Sequence, residues 1–141
     1  MKRLSIILFY ILIVVGLTGC AGDSSTKAIS TDDVIKAFKD AGLAADEPRK
    51  MTKDDFGIAP MKPKEAVRFI IPSLGDDSGG RILIYDKEKD LKEMKNYYDE
   101  LGKSSAILFS WTIAHGNVLV QLNGDLPEED YNKYKAALEA L

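Results

Sequence analysis

The N-terminal stretch constrains this chain more than any other part of its sequence. Two basic residues follow the initiating methionine, and positions 4–17 are apolar apart from Ser5 and Gly16. This apolar run of about fourteen residues is shorter than the roughly 20 that a helix needs to cross a bilayer. A basic start followed by a short apolar run is the layout of a secretory signal peptide. We therefore expect export of the chain rather than a permanent transmembrane helix.

The apolar run ends at Leu17-Thr18-Gly19-Cys20, which contains the only cysteine of the chain. This tetrapeptide resembles the lipobox of bacterial lipoproteins. The resemblance implies cleavage between Gly19 and Cys20 and attachment of two or three acyl chains, palmitate among them, to Cys20. Two chains hold a protein stably on a membrane where one does not. The implied location is the extracytoplasmic face of the cell membrane, while an ordinary signal peptide or an uncleaved anchor remains the alternative.

The lone cysteine and the net charge restrict the remaining chemistry. A cysteine that carries lipid leaves no thiol for a disulfide, a metal cluster or a nucleophile, so the hydrophobic core alone must stabilise the domain. Cleavage would remove Lys2 and Arg3 and change the formal net charge from −3 to −5. An acidic domain repels the phosphate backbone, and we expect no nucleic-acid partner.

The sequence divides into three segments. Residues 1–19 are expected to form the cleaved signal peptide. Residues 20–29 comprise the lipidated cysteine and a tether of small and polar residues, which is the composition of a flexible linker. The remaining 30–141 form a single extracytoplasmic domain, because their number is close to the commonest domain size.

Hydrophobic periodicity in the domain predicts the element order α-ββα-ββα. Helices are expected over about 31–41, 86–101 and 125–141, and strands over 67–71, 81–85, 105–114 and 118–122. Residues 44–64 show no sustained period and contain three prolines, so we expect a long loop there. The two ββα units form a weak internal repeat. The predicted fold class is α+β, with a mainly antiparallel sheet of about four strands and helices on one face.

Helices on one face would leave the opposite sheet face open. In the last hairpin, around a two-residue turn at His115-Gly116 or Gly116-Asn117, alternation divides the side chains between the two faces. The core face is expected to carry Ile107, Phe109, Trp111, Ile113, Val118, Val120 and Leu122. Ser110, Thr112 and Gln121 fall on the open face, and they are therefore candidate binding residues.

The loop Asp76–Gly80 is the other candidate for binding. Asp76 and Asp77 could contact a partner or a hard cation such as Ca²⁺. Hydrophilic hairpin tips have this composition without any metal, and the spacing is not that of an EF-hand, so we predict no metal site. His115 is the only histidine, and a place in a hairpin turn explains it without catalysis. We find no catalytic constellation and expect no catalytic residues and no cofactor.

Two longer segments carry a family resemblance. Residues 71–81 and 117–127 resemble those of small, uncharacterised lipoproteins of Gram-positive, Bacillus-type bacteria. The resemblance implies a location and brings no activity, cofactor or site residue. The duplicated ββα units are also similar to secreted inhibitor domains of the β-lactamase-inhibitor type, and this similarity is one of fold.

These observations favour a lipid-anchored, non-enzymatic binding module. Its partners would be the membrane, through the lipid on Cys20, and an envelope protein, a peptide or a wall component. One alternative is an inhibitor or immunity factor against an envelope-acting enzyme, with Asp76–Gly80 as the inserting loop. A third hypothesis is an enzyme of unknown type that uses Asp76, Asp77 or His115.

Overall fold

The computed structural model describes residues 27–141. The expectations for the signal peptide, for Cys20 and for most of the tether lie outside this range. The elements are α1 (Thr31–Asp40), β1 (Asp46–Lys50), α2 (Lys53–Phe56), β2 (Glu65–Ile70), β3 (Gly79–Ile84), α3 (Glu88–Ser104), β4 (Ser110–His115), β5 (Val118–Asn123) and α4 (Glu128–Glu139). Single 3-10 turns lie at Pro72–Leu74 and Ala106–Leu108. From residue 27 onward, no helix is both long enough and apolar enough to span a bilayer.

All five strands belong to one antiparallel sheet with the order β1-β2-β3-β5-β4. This confirms the α+β class, the antiparallel sheet and both ββα units. The expected loop over 44–64 is wrong in part, because it contains β1 and α2. All five residues of β1 are exposed, so this edge strand lacks the alternation of apolar and polar residues from which a strand is predicted. It forms through backbone pairing with β2, and an edge position tolerates its Pro48.

Helices cover both faces of the sheet, and the expectation of helices on one face is wrong. On one face, α1 and α4 pack on the sheet through a buried cluster that includes Phe38, Tyr134 and Leu138. On the other face, α3 packs through a second cluster that includes Leu91, Met94 and Tyr98. The central strands explain this arrangement. They are apolar at successive positions, in Ile82-Leu83-Ile84 and Val118-Leu119-Val120, and such strands need cover on both sides.

The strand expected over 105–114 begins only at Ser110. Its partner β5 ends at Asn123, which pairs with Ser110, so the preceding residues have no strand beside them. They form the 3-10 turn instead, with Ile107 94% exposed and Phe109 41% exposed. The expected core positions of these two side chains are therefore wrong. The other five of the expected core-face set, Trp111, Ile113, Val118, Val120 and Leu122, do face α1 and α4.

The described chain enters the domain at the β4–β5 turn. This turn consists of Gly116-Asn117, and Gly116 has a positive φ of 54°, as tight hairpin turns require. The N–H of Ile29 donates to Oδ1 of Asn117 at 3.1 Å, and Nδ2 of Asn117 donates to the carbonyl of Ile29 at 3.0 Å. Ser30 then caps α1 reciprocally with Asp33. Residues 27–30 therefore join the domain at this end of the sheet.

Candidate binding groove

A row of polar side chains crosses the α3 face, with one residue from each strand. The strand register places Arg49 opposite Arg68, Arg68 opposite Arg81, Arg81 opposite Gln121, and Gln121 opposite Thr112. Directly opposed residues lie about 5 Å apart, and like charges at that spacing repel. In a row of three adjacent arginines, anionic partners on two of them are enough to relieve this repulsion.

Two of these arginines have carboxylate partners. Nη1 and Nη2 of Arg49 each donate to a different oxygen of Asp55 at 2.8 Å. This pairing, with a hydrogen bond from the Thr52 N–H, holds the pKa of the Asp55 carboxyl well below its usual range. Nη2 of Arg68 donates to Oδ1 of Asp77 at 2.5 Å and to the Asp77 carbonyl at 2.9 Å. Nη1 of Arg68 is also 3.6 Å from Oδ1 of Asp55.

Arg81 has only neutral partners. Its Nη1 donates to the Tyr98 hydroxyl at 3.3 Å and to Oε1 of Gln121 at 3.2 Å. Burial raises the pKa of Tyr98, so this phenol stays protonated at neutral pH. Within residues 27–141, Arg81 forms no ion pair. The row therefore carries one positive charge that the described chain does not neutralise, and that charge is on Arg81.

Arg81 lies where two cavities meet. Arg81, Gln121 and Asn123 line both of them. The smaller cavity, of about 210 Å³, extends over Arg68 and Asp77, and the larger, of about 600 Å³, extends between the end of α3 and the 3-10 turn at 106–108. We call the two together the arginine groove, defined by Arg68, Arg81, Tyr98, Phe109, Gln121 and Asn123. Its size is in the usual range of small-molecule sites.

One wall of the groove is apolar. It is made by Ile107, Leu108 and Phe109, and Leu108 is 49% exposed. The Phe109 ring packs edge-on against Trp111, with their centroids 5.0 Å apart. The wall can take this position because residue 124 is a glycine. A Cβ on Gly124 would lie 2.2 Å from the Phe109 carbonyl oxygen. The groove is therefore amphipathic, with a guanidinium on one side and aliphatic and aromatic carbon on the other.

The three residues expected on an open sheet face have different surroundings, and the expectation of a shared open face is wrong. Gln121 lines the groove and bonds Arg81. Ser110 also lines it, but its hydroxyl is buried and has no hydrogen-bond partner from residue 27 to the C-terminus. The hydroxyl of Thr112 lies under α3, where it donates to Oδ1 of Asp99 at 2.8 Å and accepts from Nζ of Lys95 at 3.1 Å.

The two candidate aspartates also differ. Asp77 lines the smaller cavity, where Arg68 binds its carboxylate. Asp76 is exposed in the adjoining turn. In the part of the chain that the structure describes, no group of three or more His, Cys, Asp or Glu side chains could hold a metal ion. His115 is the last residue of β4 and therefore lies at the end of the sheet opposite the groove.

Sequence reasoning missed the residues that dominate the groove. Arg68, Arg81 and Tyr98 were not predicted, and Phe109 was assigned to the core. One signal was present, because Arg81 is a charged residue next to the apolar run 82–85. That Arg81 adjoins Arg68 and Gln121 depends on the register of three strands, which the sequence does not display.

Comparisons with known proteins add no further constraint on this site. The chain matches no protein-family model, no curated protein and no solved structure. The groove and the N-terminal sequence are therefore the features of this chain that bear on its function. The groove offers a guanidinium and side-chain amides, which bind and orient a polar or anionic group.

Proposed function

We propose that this protein is a lipid-anchored lipoprotein of the cell envelope whose domain is a non-enzymatic binding module. Cys20 carries the lipid, and the arginine groove takes the ligand. The observation that carries the proposal is Arg81, a half-buried residue that lines both cavities and whose guanidinium has only neutral partners in the described chain. A desolvated cation without a counter-ion costs free energy, and a ligand that supplies negative charge removes that cost.

The position of the groove supports a ligand that approaches from outside the membrane. Ile29 is bound at the β4–β5 turn, whereas the groove lies at the other end of these strands. Six residues of strand span about 20 Å. A domain tethered through Ile29 would present the groove away from its anchor, toward an envelope protein, a peptide or a wall component.

The anchor is tested by changing its acceptor. In a Bacillus-type host fed a clickable palmitate analogue, we expect the wild-type chain to label and to sediment with membranes. Cys20→Ala should lose the label. Mass spectrometry of the wild-type protein should find an acylated N-terminal cysteine and no residues 1–19. An unmodified Cys20 with the leader still attached would refute the anchored lipoprotein.

The groove is tested by site-specific photo-crosslinking in the same cells. A photoreactive amino acid replaces Ile107 on the groove wall or, as a matched control, Ile58, which is 92% exposed and lies outside the groove. We expect crosslinked products from position 107 that are absent from position 58. No product at position 107, or the same products at both positions, would contradict a ligand in the groove.

A further inference from the structure

We infer that the arginine groove binds a monocarboxylate that carries an apolar group, as the C-terminal residue of a peptide with an apolar side chain does. The inference rests on the proposed function and narrows it to one class of ligand. It follows from three features of the groove: the free donors of Arg81, the apolar wall beside them, and the carboxylates at the cavity edges.

The donors of Arg81 match a carboxylate. Both of its hydrogen bonds come from Nη1, so within residues 27–141 its Nη2 and Nε groups have no partner. A guanidinium binds a carboxylate best through two parallel N–H···O bonds, for which two such nitrogens are needed. Asn123 lines the same cavities, and its Oδ1 already accepts from the N–H of Asp125 at 2.8 Å. Its amide group remains as a further donor.

The apolar wall matches a substituent on that carboxylate. Ile107, Leu108 and Phe109 are three consecutive exposed apolar residues, and they line the larger of the two cavities that contain Arg81. Single exposed apolar side chains are ordinary, whereas a contiguous exposed group at a cavity marks a binding surface. A carboxylate on Arg81 would direct its substituent along this wall, where burial of apolar carbon adds to affinity.

Carboxylates at the cavity edges favour one negative charge over two. Asp77 lines the smaller cavity and Asp125 the larger. Arg68 offsets the charge of Asp77, so Asp125 is the carboxylate that repels an anion here, and the repulsion doubles for a dianion such as phosphate. Neither forms an ion pair with Arg81, so neither occupies its free donors. The groove is therefore suited to a monoanion.

The ligand class is tested by calorimetry on the full-length protein in lipid nanodiscs. The probes are N-acetyl-phenylalanine, its neutral amide, acetate and inorganic phosphate. We expect the acid to bind at least about tenfold more tightly than the amide, since only the acid pairs with Arg81. Acetate, which lacks the apolar group, and phosphate should both bind at least tenfold more weakly than the acid. Equal affinity for acid and amide, tighter binding of phosphate, or no heat from any probe would overturn the inference.

Variants assign the two halves of the site. Arg81→Gln should reduce affinity for the acid at least tenfold and leave the amide unchanged. Lys92→Gln removes the same charge from the exposed surface of α3 and should change nothing. Ile107→Ser should weaken binding of the acid several-fold, whereas the matched Ile58→Ser should leave that binding unchanged. Unchanged affinity in both Arg81→Gln and Ile107→Ser would exclude this site.

If Arg81→Gln does not fold, a variant that removes a negative charge from the groove still tests the inference. Asp125 is exposed, so Asp125→Asn should fold, and it should bind the acid a few-fold more tightly. Weaker or equal binding would contradict the role of charge in the groove.

The inference can fail while the proposed function survives: crosslinking at position 107 with equal affinity for acid and amide would show a groove ligand of another class. Conversely, an unacylated protein that binds the acid would refute only the anchor.

Discussion

At the residue scale, two neighbouring hydroxyls on the α3 face of β4 differ in their surroundings. Thr112 bonds Asp99 and Lys95, which also pair with each other at 2.6 Å. Burial alone would raise the pKa of Asp99, but the hydrogen bonds from Lys95 and Thr112 lower it below its ordinary value. The Ser110 hydroxyl is buried without a partner among the residues described. Desolvation of a hydroxyl costs free energy unless a hydrogen bond offsets it.

These surroundings predict opposite effects of removing each hydroxyl. Thr112→Val should lower the free energy of unfolding by about 1 kcal/mol, because Asp99 and Lys95 lose a partner. Ser110→Ala removes a desolvated group and should leave stability unchanged or raise it by up to about 1 kcal/mol. Urea unfolding at neutral pH measures both. A larger loss for Ser110→Ala than for Thr112→Val would contradict the assignment.

A second residue-scale prediction concerns the pH dependence of Tyr134. Its hydroxyl donates to the Ala44 carbonyl at 2.6 Å, the residue is 2% exposed, and burial raises its pKa to about 12. In the unfolded chain the pKa of the tyrosine phenol is about 10. The neutral Tyr134 phenol therefore contributes its full stabilisation of the folded state below a pH of about 10. This contribution is lost as the pH rises toward about 12, because the phenol ionises first in the unfolded chain.

Tyr134→Phe isolates this contribution. At pH of about 8 the variant should be about 1 kcal/mol less stable than the wild type, since it lacks the hydrogen bond to Ala44. Above pH of about 10 the difference should shrink by about 1 kcal/mol per pH unit, because only the wild-type phenol ionises. Urea unfolding at three pH values measures this. A difference that stays constant with pH would exclude the raised pKa.

At the element scale, two glycines lie against Phe109, the residue that follows the 3-10 turn at Ala106–Leu108. A Cβ on Gly124 would lie 2.2 Å from the Phe109 carbonyl oxygen, a distance that requires the backbone to move. A Cβ on Gly102 of α3 would lie 3.2 Å from the Phe109 ring, which a small ring movement can relieve. The turn therefore holds its place at the groove because β5 is followed by a residue without a side chain.

Alanine at the two positions should have unequal effects. Gly124→Ala should cost on the order of 2 kcal/mol through overpacking and should displace the apolar wall, so that N-acetyl-phenylalanine binds more weakly. Gly102→Ala should change stability by less than about 1 kcal/mol, because better helix propensity offsets the tight contact. Thermal unfolding and calorimetry test both variants. Equal effects would show that the turn does not depend on the approach of Gly124.

At the scale of the whole molecule, the described chain enters the domain at one end of the β4–β5 hairpin, and the groove lies at the other end. Ile29 is bound to Asn117 at the turn, whereas Ile107 precedes the first residue of β4. Eight residues separate Cys20 from Ile29, and an extended chain of that length reaches about 28 Å. In the anchored protein that we propose, the turn therefore lies closer to the bilayer on average than the groove does.

This arrangement predicts a difference in distance from the membrane. Because lipid would occupy Cys20, a cysteine in place of Ala114 or Ile107 would be the only free thiol, and both positions are exposed. A dye at position 114 should transfer energy to acceptors on the bilayer surface more efficiently than a dye at position 107. Ala114 lies about 13 Å along β4 from Ser110, the first strand residue after the turn that contains Ile107. Equal transfer would contradict presentation of the groove away from the membrane.

Local chemistry in the sequence determined much of this protein. The caps of α1, the apolar pattern of β3 and β5, the stripe of α3 and a tight turn within His115-Gly116-Asn117 are visible without coordinates, because each depends on neighbours a few residues apart. The tertiary structure alone decided the rest. It placed β1 at an edge, packed α3 on the face expected to be open, and aligned Arg68, Arg81 and Gln121. These features depend on strand register and on which surfaces remain unburied, and both are properties of contacts between residues distant in sequence.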